Sequence, residues 1–166
     1  ATMEPLCFGA PSGRARMGFA GLEEFSKKLL AAGVRKGLFR GELYLPIEAG
    51  VPRGGIAAVV RTSFSGDLEE VSRLRLAVFD ILMLDGRDYR EGQQQVSVVW
   101  DRLGDLFGTE ENCGCHRVRG GTMPGAQLEN LLAETVGMGH EGLILRRNDS
   151  HEWAKVKPRR NVDAVV

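Results

Sequence analysis

The sequence has no net charge: its 22 Lys and Arg residues balance its 22 Asp and Glu over 166 positions. That balance argues against wholesale electrostatic binding of nucleic acid, although it hides a local excess. Arg146, Arg147, Lys155, Lys157, Arg159 and Arg160 crowd the last quarter, a cluster suited either to salt-sensitive contacts with a phosphate backbone or to a solvated surface. Long apolar runs are also missing. No stretch approaches the roughly 20 residues of a membrane span, and the N-terminus lacks the charged-then-apolar pattern of a signal peptide. A cytoplasmic protein with no membrane partner is the expectation, and a count of only three cysteines agrees with it. Cys113, Cys115 and His116 are close in sequence but supply at most three metal ligands, with no second cluster to complete a zinc site. Cys7 reads as a buried apolar residue. With no internal repeat, linker or low-complexity tract, the chain reads as one domain with a single core.

What is present is a set of apolar strands, each interrupted by an acid. The run from Leu74 to Leu84, stopped by Asp85-Gly86, predicts a buried central strand with Asp80 in its middle and Phe79 beside it. A carboxylate in that position is costly to bury without a partner. Leu38 to Leu45 is a second strand, broken by Gly41-Glu42, where glycine permits close approach. Near the C-terminus, Glu141-Gly142-Leu143-Ile144-Leu145-Arg146 and Trp153-Ala154-Lys155-Val156-Lys157-Pro158 predict two short strands. The turn-forming residues from Asn148 onward make a hairpin the economical connection between them. Strand alternation puts Lys155 and Lys157 on one face with Ala154 and Val156 behind them. Glu141 then lies beside two cations, which is how a nucleotide phosphate site can be built. Helical spacing marks residues 22–32, closed by Gly33, then 95–107 and 127–136, with a further short helix at 56–61. Strands separated by helices without regular βαβ alternation predict an α+β domain around antiparallel sheet.

In their order and wording these segments resemble the covalent nucleotidyltransferase superfamily: ATP-dependent DNA ligases, RNA ligases and mRNA capping enzymes. Gly41-Glu42-Leu43 looks like the family's third motif, Val78-Phe79-Asp80-Ile81-Leu82 with Asp85-Gly86 like motif IIIa, Glu141 to Arg146 like motif IV, and Lys155-Val156-Lys157-Pro158 like motif V. The phrasing of motif IIIa, and Val162-Asp163-Ala164-Val165-Val166 after motif V, is closer to DNA ligases than to capping enzymes. The resemblance implies a nucleotidyltransferase (ATP-grasp-like) adenylation domain, with antiparallel sheets flanked by helices, over residues 1–166. ATP and Mg2+ would be its cofactors. Glu42 would contact the nucleotide sugar or a metal-bound water, and Phe79 would stack on adenine. Glu141, with Glu42, would hold the divalent ion, while Lys155 and Lys157 would stabilise charge on the transferring α-phosphate. Arg14 would touch phosphate. The implied activity is the joining of nicked DNA, or of RNA, through enzyme-AMP and nucleic acid-adenylate intermediates, in DNA repair or replication.

Two departures from the family pattern bear on activity. The nucleophile should be the lysine of a Lys-x-Asp-Gly motif ahead of the third motif. None of the five lysines, Lys27, Lys28, Lys36, Lys155 and Lys157, is followed by x-Asp-Gly. Residues 6–16 look like the strand and loop that follow the nucleophile, so the expectation is a partial adenylation domain, or a degenerate member unable to adenylylate itself. Ligases also grip nucleic acid through an OB-fold domain after motif V, and none is expected in this sequence.

Overall fold

The apolar run around Val78 forms the central strand of a four-stranded sheet in the computed structural model, which describes residues 7–9, 14–16, 19–46, 72–90, 94–149 and 152–158. Two three-residue strands, β1 (Cys7–Gly9) and β2 (Arg14–Arg16), pair antiparallel. They are followed by helix α1 (Ala20–Ala31) and strand β3 (Gly37–Tyr44). The central strand β4 (Arg75–Leu84) turns into the two-residue β5 (Arg87–Asp88), then helix α2 (Val96–Phe107) and strand β6 (Cys115–Arg117). Helix α3 (Leu128–Gly137) precedes the hairpin of β7 (Leu143–Arg146) and β8 (Trp153–Val156). The domain is α+β with antiparallel sheets and helices, as the sequence pattern predicts. The short helix expected at 56–61 lies outside the described residues.

One strand departs from the expected antiparallel pattern. β3 and β5 run antiparallel to β4, but β6 pairs with it in parallel, Leu76 opposite Cys115 and Val78 opposite Arg117. A parallel neighbour needs a crossover, and α2 supplies it. A three-residue strand beside glycines leaves no alternation to read, so the sequence pattern does not show β6.

Residues directly opposite across β3 and β4 share a face, so register sorts the sheet into two surfaces. Leu76, Val78, Ile81 and Leu84 of β4 lie on the face that packs against α1 and α2. α1 contributes Leu22 and Leu29, and α2 contributes Val99, Leu103, Leu106 and Phe107, at the spacing of one helical stripe. Phe25, Phe39 and Phe107 close this core as an aromatic trio with ring centroids 5.1 to 5.6 Å apart. The opposite face carries Arg40, Glu42 and Tyr44 of β3 beside Asp80, Ala77 and Arg75 of β4. α3 stays outside this core, with Thr135 its one buried residue.

Backbone pairing between β3 and β4 slips twice, between Leu38 and Phe39 and between Arg40 and Gly41, which leaves Leu82 and Phe79 unpaired as bulges. The β4–β5 turn is the predicted Asp-Gly. Asp85 and Gly86 both take positive φ, 47° and 87°, as the tight hairpin turn of that handedness requires. Asp85 Oδ1 accepts hydrogen bonds from the backbone N–H groups of Arg35 and Lys36, each at 2.9 Å, and so pins the turn to the α1–β3 connection. Those two bonds, Lys36 first, hold the Asp85 carboxyl below its ordinary range.

Beneath the sheet, Glu24 and Lys28 of α1 form an i,i+4 pair at 3.1 Å that also serves the backbone. Lys28 Nζ donates to the carbonyls of Phe107, the last residue of α2, at 2.8 Å and of Cys115, the first of β6, at 2.7 Å. Glu24 Oε2 accepts from the Gly114 N–H at 2.6 Å. Burial pushes the Glu24 carboxyl up, but the bonds from Lys28 and Gly114 outweigh it and hold the group below its ordinary value.

Candidate functional site

The hairpin brings three of the sequence-predicted site residues together. Its register pairs Leu143 with Val156, Ile144 with Lys155, Leu145 with Ala154 and Arg146 with Trp153. Ile144, Arg146, Trp153 and Lys155 therefore share one face, and Lys157 continues the alternation just past β8. Glu141, just ahead of β7, bridges both lysines: its Oε2 lies 2.7 Å from Lys157 Nζ and 3.3 Å from Lys155 Nζ. The two bonds, Lys157 first, depress the Glu141 carboxyl, and Lys157 is raised in turn by its bond to Glu141. Gly142 makes this geometry accessible. Its φ of 147° is one that side chains disfavour, and a Cβ there would collide with the Val156 carbonyl.

The charges of this cluster are not buried. Glu141 is 75% exposed, Lys155 49% and Lys157 48%, because the hairpin is a two-stranded sheet of its own standing apart from the core. Glu42 is exposed as well, on the polar face of the main sheet opposite Ala77, and joins none of these ion pairs. Phe79 is half-buried at its bulge, outside the main core. For Arg14, the described structure is its backbone in β2.

Among the described residues Asp80 is the one strand acid that is buried, at 5% exposure. It meets guanidinium groups from two directions. Arg40 Nη1, from the paired strand, lies 3.6 Å from Oδ2, and Arg146 Nη1, from the hairpin, lies 3.5 Å from Oδ1. Arg146 Nη1 also donates to the carbonyl of Phe79 at 3.4 Å. The turn end of the hairpin has a second attachment. Asn148 accepts from Val96 N–H through its carbonyl at 3.1 Å and from Ser97 N–H through Oδ1 at 2.8 Å. Those donors open α2, whose own Gln95 contributes no side-chain cap. Sequence reasoning flags Asp80 as needing a partner, but Arg40, Arg146 and Asn148 carry no signal of their pairing, since each contact joins distant segments.

No protein-family model matches this chain, and a search of curated proteins finds no match.

Among the described residues no group of three or more His, Cys, Asp or Glu side chains converges to hold a metal ion. Cys115 and His116 are neighbours on one strand and so point to opposite faces. The Cys115 side chain is fully buried in the core, and that burial pushes its thiol up to about 12. His116 lies on the polar face, where Tyr44 Oη stands 2.7 Å from Nε2 and the Arg117 carbonyl 2.8 Å from Nδ1. A carbonyl only accepts, so in neutral His116 the proton sits on Nδ1, and Nε2 accepts from the Tyr44 hydroxyl. Cys113 Sγ donates to the Glu110 carbonyl at 2.8 Å. The three residues are thus spoken for separately.

No helix among the described residues is long and apolar enough to cross a membrane.

Proposed function

We propose that the chain is part of the adenylation domain of an ATP-dependent DNA ligase, and that Lys155 and Lys157 bind the phosphates of ATP. The observation that carries this reading is the single carboxylate of Glu141 gathered between two cations on one face of a hairpin. Such a pair is electrostatically poised to exchange its carboxylate for a phosphate, whose oxygens accept the same ammonium donors. The side chains present fit a phosphate better than they fit a free divalent ion. Mg2+ usually takes one or two carboxylates and completes its shell with phosphate oxygens and water, so Glu141, released by an arriving phosphate, is the residue suited to it. Bound with the nucleotide, the metal would neutralise phosphate charge. Glu42 and Phe79 are proposed to meet the sugar and the base. The family order of the four motifs supports this assignment, and nicked DNA is the proposed partner, with RNA as the nearest alternative.

A second reading rests on a specific observation, the absence of Lys-x-Asp-Gly from the sequence. On that reading the domain binds ATP or nucleic acid without forming a covalent intermediate. Both readings share the phosphate site, which one experiment tests. Lys155→Met with Lys157→Met keeps the apolar stems and removes both charges, and should weaken ATP binding roughly tenfold or more in ligand-observed NMR with Mg2+. Binding by the double variant equal to that of the parent, or no binding by the parent at several-millimolar ATP, would reject the phosphate assignment.

A further inference from the structure

We propose that Asp80 is a positioning residue: through Arg146 it fixes the β7–β8 hairpin to the central strand and so sets where Lys155 and Lys157 stand. The proposal rests on the phosphate-site reading for its functional meaning, but its mechanical content stands on geometry alone.

Three observations lead to it. First, Asp80 is a buried carboxylate in mid-strand on the face turned away from the helices, a position that is tolerable only with cations at hand. Of its two guanidinium partners, Arg40 is 59% exposed and Arg146 only 18%, so Arg146 is the partner whose charge is the more withdrawn from solvent. Second, the bulge at Phe79 takes that residue out of register with β3, and Arg146 donates to its carbonyl. Arg146 thus grips a side chain and a main-chain atom of consecutive residues, which fixes direction as well as distance. Third, Arg146 shares its hairpin face with Trp153 opposite it, from which Lys155 and Lys157 follow at two-residue steps. A hairpin held at Arg146 therefore presents the lysines on a defined side. Asn148, capping the start of α2, secures the turn end, and the Glu141 end carries the lysine cluster.

The clamp makes a prediction that a solvated hairpin does not. In Asp80→Asn the amides of β7 and β8, together with those of Val96 and Ser97 that Asn148 caps, should exchange with solvent at least tenfold faster, while those of β4 and the rest of α2 keep their protection. Arg146→Met, altered at the hairpin side of the clamp, should reproduce the effect should Asp80→Asn fold poorly, and Arg146→Lys should restore part of the protection by keeping the charge. ATP affinity should fall about tenfold in Asp80→Asn although no charge at the lysines has changed. Lys155→Met with Lys157→Met should instead lose ATP binding with hairpin exchange unaltered. Hairpin exchange unchanged in both Asp80→Asn and Arg146→Met, or undiminished ATP affinity alongside detectable parent binding, would overturn the proposal. Absence of ATP binding by the parent would sink the phosphate reading and leave the exchange comparison to decide the clamp.

Discussion

Replacing Lys28 by Met should destabilise the fold by about 2–4 kcal/mol, from two charge-assisted hydrogen bonds of roughly 1.5–3 kcal/mol each reduced by about a third for partial solvent access. The magnitude follows from what one ammonium does. Its Nζ donates to Phe107 O at 2.8 Å and Cys115 O at 2.7 Å, and these carbonyls lie at the end of α2 and the start of β6. A positive charge at the C-terminus of a helix adds about 0.3–1 kcal/mol through the helix dipole. Water reaches this site only in part, since the Lys28 side chain is 27% and Glu24 31% exposed, so solvent replaces the lost bonds incompletely. Met preserves the stem, which separates loss of the charge from loss of packing. Urea unfolding is the assay: an unchanged m-value with a midpoint lowered by roughly 1–2 M is expected, taking m near 2 kcal/mol/M. Lys27→Met, on the exposed side of the same helix, serves as control. Coupling to Glu24 can be isolated with Glu24→Gln in a double-mutant cycle. A loss below about 0.5 kcal/mol would mean that these bonds are made in the structure without stabilising it, and would refute the reasoning.

Incubated with labelled ATP and Mg2+, the 166-residue chain should form no lysyl-AMP, since the attacking amine of a Lys-x-Asp-Gly motif is absent; an adduct mapped to any of its five lysines would contradict this. Alkaline pH should weaken the fold through Cys115. Its folded thiol is held near 12 by burial against an ordinary 9.0, so the unfolded chain ionises first, and stability should fall as pH climbs from about 9 towards 12. Cys115→Ala should flatten that slope in chemical unfolding at stepped pH, and an unchanged slope would show that another group carries it.

Much of the frame was legible before the structure because it depends on local pattern. The stripe of Val99, Leu103 and Leu106 marks α2, and Asp85-Gly86 marks the β4–β5 turn, since both are set by residues a few positions apart. The face shared by Lys155 and Lys157 follows from strand alternation in the same way. What could not be read is what lies across from what. The burial of Asp80 suggests that it needs a cation, yet 66 residues separate it from Arg146, and nothing in the spacing points there. β6 was hidden because Cys115-His116-Arg117 is too short to alternate and gains its place only by pairing with β4. The exposure of Glu42 and Glu141 was hidden for a related reason. An acid beside apolar strand residues reads as interior, whereas a thin sheet leaves that same position in water.

The cap that Asn148 places on α2 has a consequence for motion. Val96 and Ser97 are the first two residues of the helix, and their N–H groups are satisfied by Asn148, far along the sequence in the hairpin turn. Lifting the hairpin therefore strips the opening turn of α2 of its acceptors, while Lys28 still holds the opposite end of that helix. Opening at the lysines and fraying of α2 become one local unfolding event with one free energy, so the helix sets a floor beneath how easily the site can loosen.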